Sequence, residues 1–409
     1  MSTHGRAAVV GVGVKCPGGT STETLWRSLL GARSCAENLE EGLAPPSVVA
    51  LKCVAHEFDA CEYFAPHELR RMDRIHQLGI AAARDSAAGL EPIDPRRLAV
   101  VVGIGHGGIG FLEGQFSSLL ANGPSRVTPL AIPVVMPNSL AAHISLDLGA
   151  KGPTHTICAA CASGTAAIGE ALWLLRSRRA DRVIAGGADA LLTLGALSFF
   201  WRTDALSRNV KDPERASRPF DKDRDGFVLG EGAAFLVLER AEDARHTSAT
   251  IHGYIDGYGE SSDAHHLVAP DPSGAGAVQC MKLALRDADI AVSDVSHINA
   301  HGTSTKLNDH IESAAIRTVF GSYAPPVTGT KGTTGHLIGG SGAVEAVASL
   351  RAAMEGVAPP TAGTALIGPD IDVDVVIGKP RDVPRSFVLS NSFGFGGHNA
   401  SVIVSPPGT

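Results

Sequence analysis

The chain has 409 residues, 44% hydrophobic and 19% charged, with a formal net charge of −7. That is ample apolar material for a large core and more than one small domain. The negative balance argues against a general nucleic-acid binder, and no run of about 18 apolar residues marks a membrane span. Seven scattered cysteines without a CxxC…CxxC metal pattern point to reduced thiols in a cytoplasmic protein.

Residues 1–6 are short and polar, lack a signal-peptide layout, and lead into a strand-like run at residues 7–10. Further apolar runs at residues 98–103, 182–187, 233–239 and 387–390 read as buried strands. Helical patterns cover residues 163–175 and 342–354. This alternation predicts an α/β fold. The polar stretch 239–250 is a candidate join between two halves, and simple self-matching finds no internal repeat.

Gly103, Gly105 and Gly108 form a GxGxxG turn after a strand-like run. A dinucleotide site needs an acid some 20 residues later. Residues 114–146 contain no Asp or Glu, so the motif reads as a glycine-rich turn. His297 and His301 have an i, i+4 spacing, but the Gly302 to Thr305 run after them predicts a loop, so no metal site is expected.

Four segments carry candidate chemistry. In TICAACASG, small residues lead into a helix-forming run, which places a cysteine near a helix N-terminus. Backbone N–H groups there favour the nucleophilic thiolate. Cys158 reads as a buried structural thiol. NAHGTST brings His301 to the end of a strand-like run, before a hydroxyl-rich turn. KGTTGH puts Lys331 and His336 in one glycine-flanked loop, with Glu345 on the following helix as a partner for Lys331. NSFGFGGHN alternates glycines with Phe393 and Phe395, offering free backbone amides and gating rings. One thiol, two imidazoles and an amide-bearing loop match the needs of thioester condensation. The thiol holds an acyl group, and the imidazoles and amides bind developing oxyanions.

These segments, in this order and with SRPFDKDRDGFV at residues 217–228, resemble the β-ketoacyl-acyl-carrier-protein synthases of the KAS II and type II polyketide ketosynthase kind. The resemblance covers nearly the whole chain. It implies a thiolase fold, two similar halves in a five-layer α-β-α-β-α arrangement, with residues 1–247 carrying the nucleophile and residues 248–409 the two histidines. It implies Cys161 as nucleophile, with His301, His336 and Lys331 as the other catalytic groups. Glu345 is then the ion-pair partner of Lys331, and Asp309 and Glu312 support the His301 loop. Phe395, with Phe393, belongs to the gate, and the amides of Phe395 and Cys161 form the oxyanion hole. Thr303 and Thr305 are expected to bind a pantetheine arm, and Phe199 and Phe200 to approach the acyl pocket. The implied reaction is decarboxylative condensation with malonyl-acyl carrier protein, in polyketide or specialised fatty-acid synthesis. The implied partners are an acyl carrier protein and a second ketosynthase-like subunit, as a homodimer or heterodimer. Neither metal nor other cofactor is expected, because the phosphopantetheine arm comes with the carrier. Arg70, Arg71, Arg74, Arg208 and Lys211 resemble the basic residues that dock it.

The chain departs from the family pattern at several places. Lys306 stands where the family commonly has Pro, Thr333 and Thr334 replace a Ser-led pair, and His398 replaces a common Thr. Residues 199–202 (FFWR) are bulkier than usual, which suggests a pocket shaped for a short or unusual primer. Three other readings compete: a non-catalytic chain-length-factor partner, a thiolase, and an acyltransferase that never condenses. The first usually lacks the nucleophile, the second has a cysteine in place of one histidine, and only a product assay separates the third.

Overall fold

The computed structural model describes residues 5–39, 51–246 and 248–408. Residues 1–4 of the polar N-terminus, and Thr247 at the expected join, lie outside them. Ten strands build the framework: β1 (Ala7–Lys15), β2 (Leu98–Gly103), β3 (Thr154–Ile157), β4 (Arg182–Ala190), β5 (Leu229–Arg240), β6 (Gly253–Ser262), β7 (Val295–Asn299), β8 (Val327–Thr328), β9 (Phe387–Gly394) and β10 (His398–Ser405). Their spatial order is β8-β7-β9-β10-β6-β1-β5-β4-β2-β3.

Outward from the β1/β6 junction, the first half runs 1-5-4-2-3 and the second 6-10-9-7-8, the same order five strands later. Directions match as well. β1 and β6 pair antiparallel with β5 and β10, those pair antiparallel with β4 and β9, and the outer strands are parallel. The duplication that the residues hide is therefore explicit in the topology. The halves meet through Ala7, Ala8 and Val9 against Ile255, Tyr254 and Gly253.

Helices α1 (Arg74–Ala87) and α2 (Ser139–Leu148) cover the outside of the first half. Helices α4 (Ala275–Ala288) and α5 (Lys306–Phe320) cover the second. Between the sheets lie α3 (Ser163–Arg176) and α6 (Ser341–Glu355), packed against each other and against strands of both halves. The result is the α-β-α-β-α layering of a thiolase fold. Burial all round explains why α6 reads GAVEAVASLRAA. A central helix has no polar face to offer water, and small residues let two sheets close on it. No helix among the described residues is long and apolar enough to cross a membrane.

Glycines set the tightest approaches. A Cβ on Gly164 at the start of α3 would meet Gly339 O at 2.7 Å and Ala343 N at 2.8 Å. A Cβ on Gly342 at the start of α6 would meet Thr165 Oγ1 at 2.2 Å. The two central helices thus begin against each other, and the loops that precede them converge. Overpacking of such a contact costs about 1–3 kcal/mol. Gly164→Ala should lose about that much in denaturant unfolding. Gly114→Ala, on a helix with no atom within 4 Å of the new methyl, should be neutral or gain up to about 1 kcal/mol.

Candidate active site

Cys161 sits in a 3-10 turn, Ala160–Ala162, that runs straight into α3. Ser163 fixes this turn: its Oγ accepts from Ala159 N at 2.8 Å and donates to Ile104 O at 2.9 Å. His336 lies just before the corresponding turn, Ile338–Gly340, that opens into α6. His301 follows β7. His336 Nε2 is 3.1 Å from Cys161 Sγ, and the two imidazole centroids are 5.5 Å apart at 82°. Ligand atoms of the three residues lie within 4.8 Å of one another, and all three side chains are buried.

Hydrogen bonds set the tautomers. The Ile338 N–H donates to His336 Nδ1 at 3.1 Å, and the Ser341 hydroxyl lies 3.0 Å from the same nitrogen. The Lys331 ammonium donates to His301 Nδ1 at 3.3 Å. Each Nδ1 is therefore an acceptor, and each neutral ring carries its proton on Nε2. Burial holds both rings well below the ordinary histidine range, and the Lys331 charge adds to the effect. Two neutral N–H donors thus occupy one site. A Cys-His-His set could in principle hold zinc. A metal-bound ring, however, donates from its other nitrogen, and here both outer nitrogens accept. The donor set does not fit a metal.

Lys331 is fully buried. Its ammonium donates to His301 O and to Glu345 Oε1, each at 2.5 Å, as well as to His301 Nδ1. All three donors are spent, and the residue does not line the cavity. The expectation of a catalytic Lys331 is corrected on that ground: it is a positioning residue beneath His301. Burial raises the Glu345 carboxyl, and the Lys331 charge opposes it. Glu312 accepts from His301 N and Gly302 N, both at 2.8 Å. Asp309 accepts from Phe220 N at 2.8 Å.

The β9–β10 hairpin brings Phe395 to Cys161, whose sulfur is within hydrogen-bond reach of the Phe395 amide. A Cβ on Gly394 would meet Cys161 N at 3.0 Å, so only glycine lets the hairpin lie this close. Phe393 packs 5.9 Å from the His301 ring. Around these groups lies a cavity of about 500 Å3, lined among others by Cys161, His301, His336, Thr303, Thr305, Phe200, Phe227, Phe393 and Phe395. Thr303 and Thr305 bond to each other at 2.9 Å. Backbone strain gathers here. Ala160, Ser304 and Ile338 are non-glycine residues with φ of 47°, 65° and 48°, conformations that packing must hold in place.

Several expectations need correction. Phe199 is 67% exposed and outside the cavity. On the helix Leu194–Arg202 it lies about 100° around from Phe200, and only Phe200 reaches the site. Arg74 is held by Glu231 through Nε and Nη2, at 2.8–3.2 Å, so the fold already uses it. Arg208 pairs with Asp204 and covers the Trp201 ring. Arg70, Arg71 and Lys211, by contrast, are exposed and so accessible to a partner. Cys158 is exposed, because it follows the outermost strand of its half.

Sequence reasoning missed Ser341, Ser163 and Asp189. Asp189 is fully buried and accepts from Gly105 N (2.7 Å), His106 N (3.3 Å) and Gly339 N (2.8 Å). It ties the glycine-rich turn to the loop after His336, so that turn's amides hold a carboxylate of the protein itself. Burial pushes this carboxyl up to about 7. No local pattern signals such a residue, since its partners lie 83 or more positions away.

The resting thiolate expected from the helix N-terminus is also corrected. Burial pushes the Cys161 thiol up to about 12, against the Lys331 charge and the Phe395 amide. Burial thus favours the protonated sulfur at neutral pH. Reactivity toward iodoacetamide follows the thiolate fraction. Alkylation of Cys161, read by peptide mass spectrometry, should rise about tenfold per pH unit from pH 7 to 9. A plateau in that range would contradict it.

Comparison with known proteins agrees with this geometry. The Beta-ketoacyl synthase N-terminal domain model matches residues 5–244, and its C-terminal domain model residues 252–365. A Synechocystis 3-oxoacyl-[acyl-carrier-protein] synthase 2 is 39% identical over 403 residues, 97% of each chain. The ishigamide ketosynthase/chain length factor structure superposes with a TM-score of 0.91 at 33% identity, covering 99% of this chain and 100% of that one. A ketosynthase complexed with its type II polyketide acyl-carrier protein gives 0.89 at 28% identity, covering 99% and 100%. With two domain models spanning most of its length and relatives matched end to end, this chain belongs to the beta-ketoacyl synthase family.

Proposed function

We propose that this protein is a ketosynthase that condenses an acyl group held on Cys161 with a malonyl-type thioester delivered by an acyl carrier protein. The observation that carries the reading is the pair of Nε2–H donors facing one sulfur, with His336 Nε2 3.1 Å from Sγ. A chain-length-factor-type subunit has no use for this arrangement.

In the first stage Cys161 Sγ attacks the incoming acyl thioester. The amides of Cys161 and Phe395 receive the oxyanion. The bond to the pantetheine sulfur breaks, and the thiol proton ends on that sulfur. In the second stage a malonyl thioester places its carbonyl oxygen between the two imidazoles. Carbon dioxide leaves, and the Nε2–H donors hold the enolate oxygen. The enolate carbon attacks the acyl-enzyme, the Cys161 sulfur departs and takes up a proton, and a 3-oxoacyl thioester remains on the carrier. Neutral rings suit this task, since the groups needed are hydrogen-bond donors that keep their proton.

Loss of one preorganised oxyanion donor typically costs about 10²–10³ in rate. His301→Ala should lower condensation by that factor while Cys161 still acquires the acyl group in mass spectrometry of the intact protein. Cys161→Ala should remove the covalent acyl species entirely. Absence of any 3-oxoacyl product from the native protein supplied with acyl- and malonyl-carrier protein would leave the acyltransferase reading in its place.

Phe200 narrows the cavity beside Phe227, their ring centroids 6.0 Å apart. A short primer fits this arrangement. Each methylene accommodated in an apolar pocket is worth about 1–3 kcal/mol. Phe200→Ala should shift kcat/KM toward longer acyl chains by about tenfold or more relative to short ones. An unchanged chain-length profile would remove Phe200 from this role.

A further inference from the structure

The cavity mouth carries charge that the chemistry at Cys161 does not use. Three carboxylates stand there, and each is engaged by the protein. Asp204 pairs with Arg208. Asp225 accepts from Ser207 Oγ at 2.7 Å and Arg208 N at 3.0 Å. Asp263 accepts from Asn399 Nδ2 at 2.7 Å. Among the described residues that line the cavity, Lys306 carries the sole ammonium or guanidinium group. It is exposed and makes no ion pair among the described residues.

Its position is set by the fold. Thr305 caps α5 through a bond from Asn308 N at 3.3 Å, which makes Lys306 the first residue of a 15-residue helix. The buried Arg224 guanidinium holds the Lys306 carbonyl at 3.2 Å, so the backbone is anchored while the ammonium is free. The first turn of a helix adds partial positive charge of its own. Burial deepens from the exposed Lys306 through the half-buried Thr305 to the buried Thr303 and His301, and all four line the cavity with Cys161. The order inward is therefore cation, hydroxyls, imidazole. A carrier-borne substrate presents the matching order of phosphate, amide-bearing arm, thioester.

We infer that Lys306 is a positioning residue that receives the phosphate of the incoming phosphopantetheine arm and so sets the depth at which the thioester stops. The assignment rests on the ketosynthase reading above. It concerns binding of the arm and leaves the bond-making groups untouched. An exposed ammonium meeting a phosphate gives a charge-assisted hydrogen bond of modest strength, screened by salt.

The test uses the full chain with Cys161 already acylated and two extenders that differ in one group, malonyl-phosphopantetheine and malonyl-pantetheine. Lys306→Ala and Lys306→Gln should each raise KM for the phosphorylated extender about fivefold with kcat nearly unchanged. KM for the phosphate-free extender should not move, and Lys306→Arg should restore the native value. High salt should erase the native enzyme's preference for the phosphorylated form. Equal losses with both extenders, or no change with either, would overturn the assignment while native condensation persists. A native enzyme that condenses neither extender would overturn the ketosynthase reading and this assignment together.

Discussion

The site exists because two central helices begin in contact. Gly164 and Gly342 let α3 and α6 approach to backbone distance at their N-termini. The turn ahead of one helix carries Cys161, and the loop ahead of the other carries His336. Residues 175 positions apart thereby come to 3.1 Å. The remaining groups are added to that contact: Asp189 clamps Gly339, Ser341 steadies the ring of His336, and the β9–β10 hairpin delivers an amide over the sulfur. A methyl group at either glycine acts on all of these at once.

Polar burial around His301 follows the same logic of support from below. Lys331, Glu345 and Glu312 are all inaccessible to solvent, and none lines the cavity. Charges buried in this way are tolerable only when paired and hydrogen-bonded. Lys331 has all three of its protons committed, and Glu312 spends both oxygens on the His301–Gly302 backbone. What the two rings present to the substrate is therefore neutral, and the ionic groups hold His301, with Lys331 fixing its tautomer and Glu312 its backbone. Burial that favours the protonated Cys161 thiol belongs to the same design.

Much of this was legible in the residues, for identifiable reasons. Apolar runs such as LAVVVG declare buried strands, and β2 spans the residues expected. β6 was not visible, because GYIDGYGESS has little β-propensity; pairing with both β1 and β10 holds it extended. The tripartite cysteine–histidine–histidine set was readable because each member sits in a glycine-bordered loop with its own pattern. Phe199 and Phe200 could not be separated, since two adjacent aromatic residues on a short helix have no phase until the helix is packed. Cys158 and the protonation of Cys161 failed on one count, namely that exposure is a property of assembled layers. Asp189 was invisible because all its partners are remote in the chain.

The duplicated topology has an evolutionary reading as well. In the reading proposed above, acyl holding belongs to the first half, with its cysteine, and enolate making to the second, with its imidazoles. The strands that join the halves meet in only three residue pairs. An ancestor of half the length, pairing with itself, would have carried two equivalent loops at its centre, and divergence of the two copies could then specialise one for capture and the other for carbon-nucleophile chemistry. Exchange of one half between relatives would accordingly trade primer choice separately from extender chemistry.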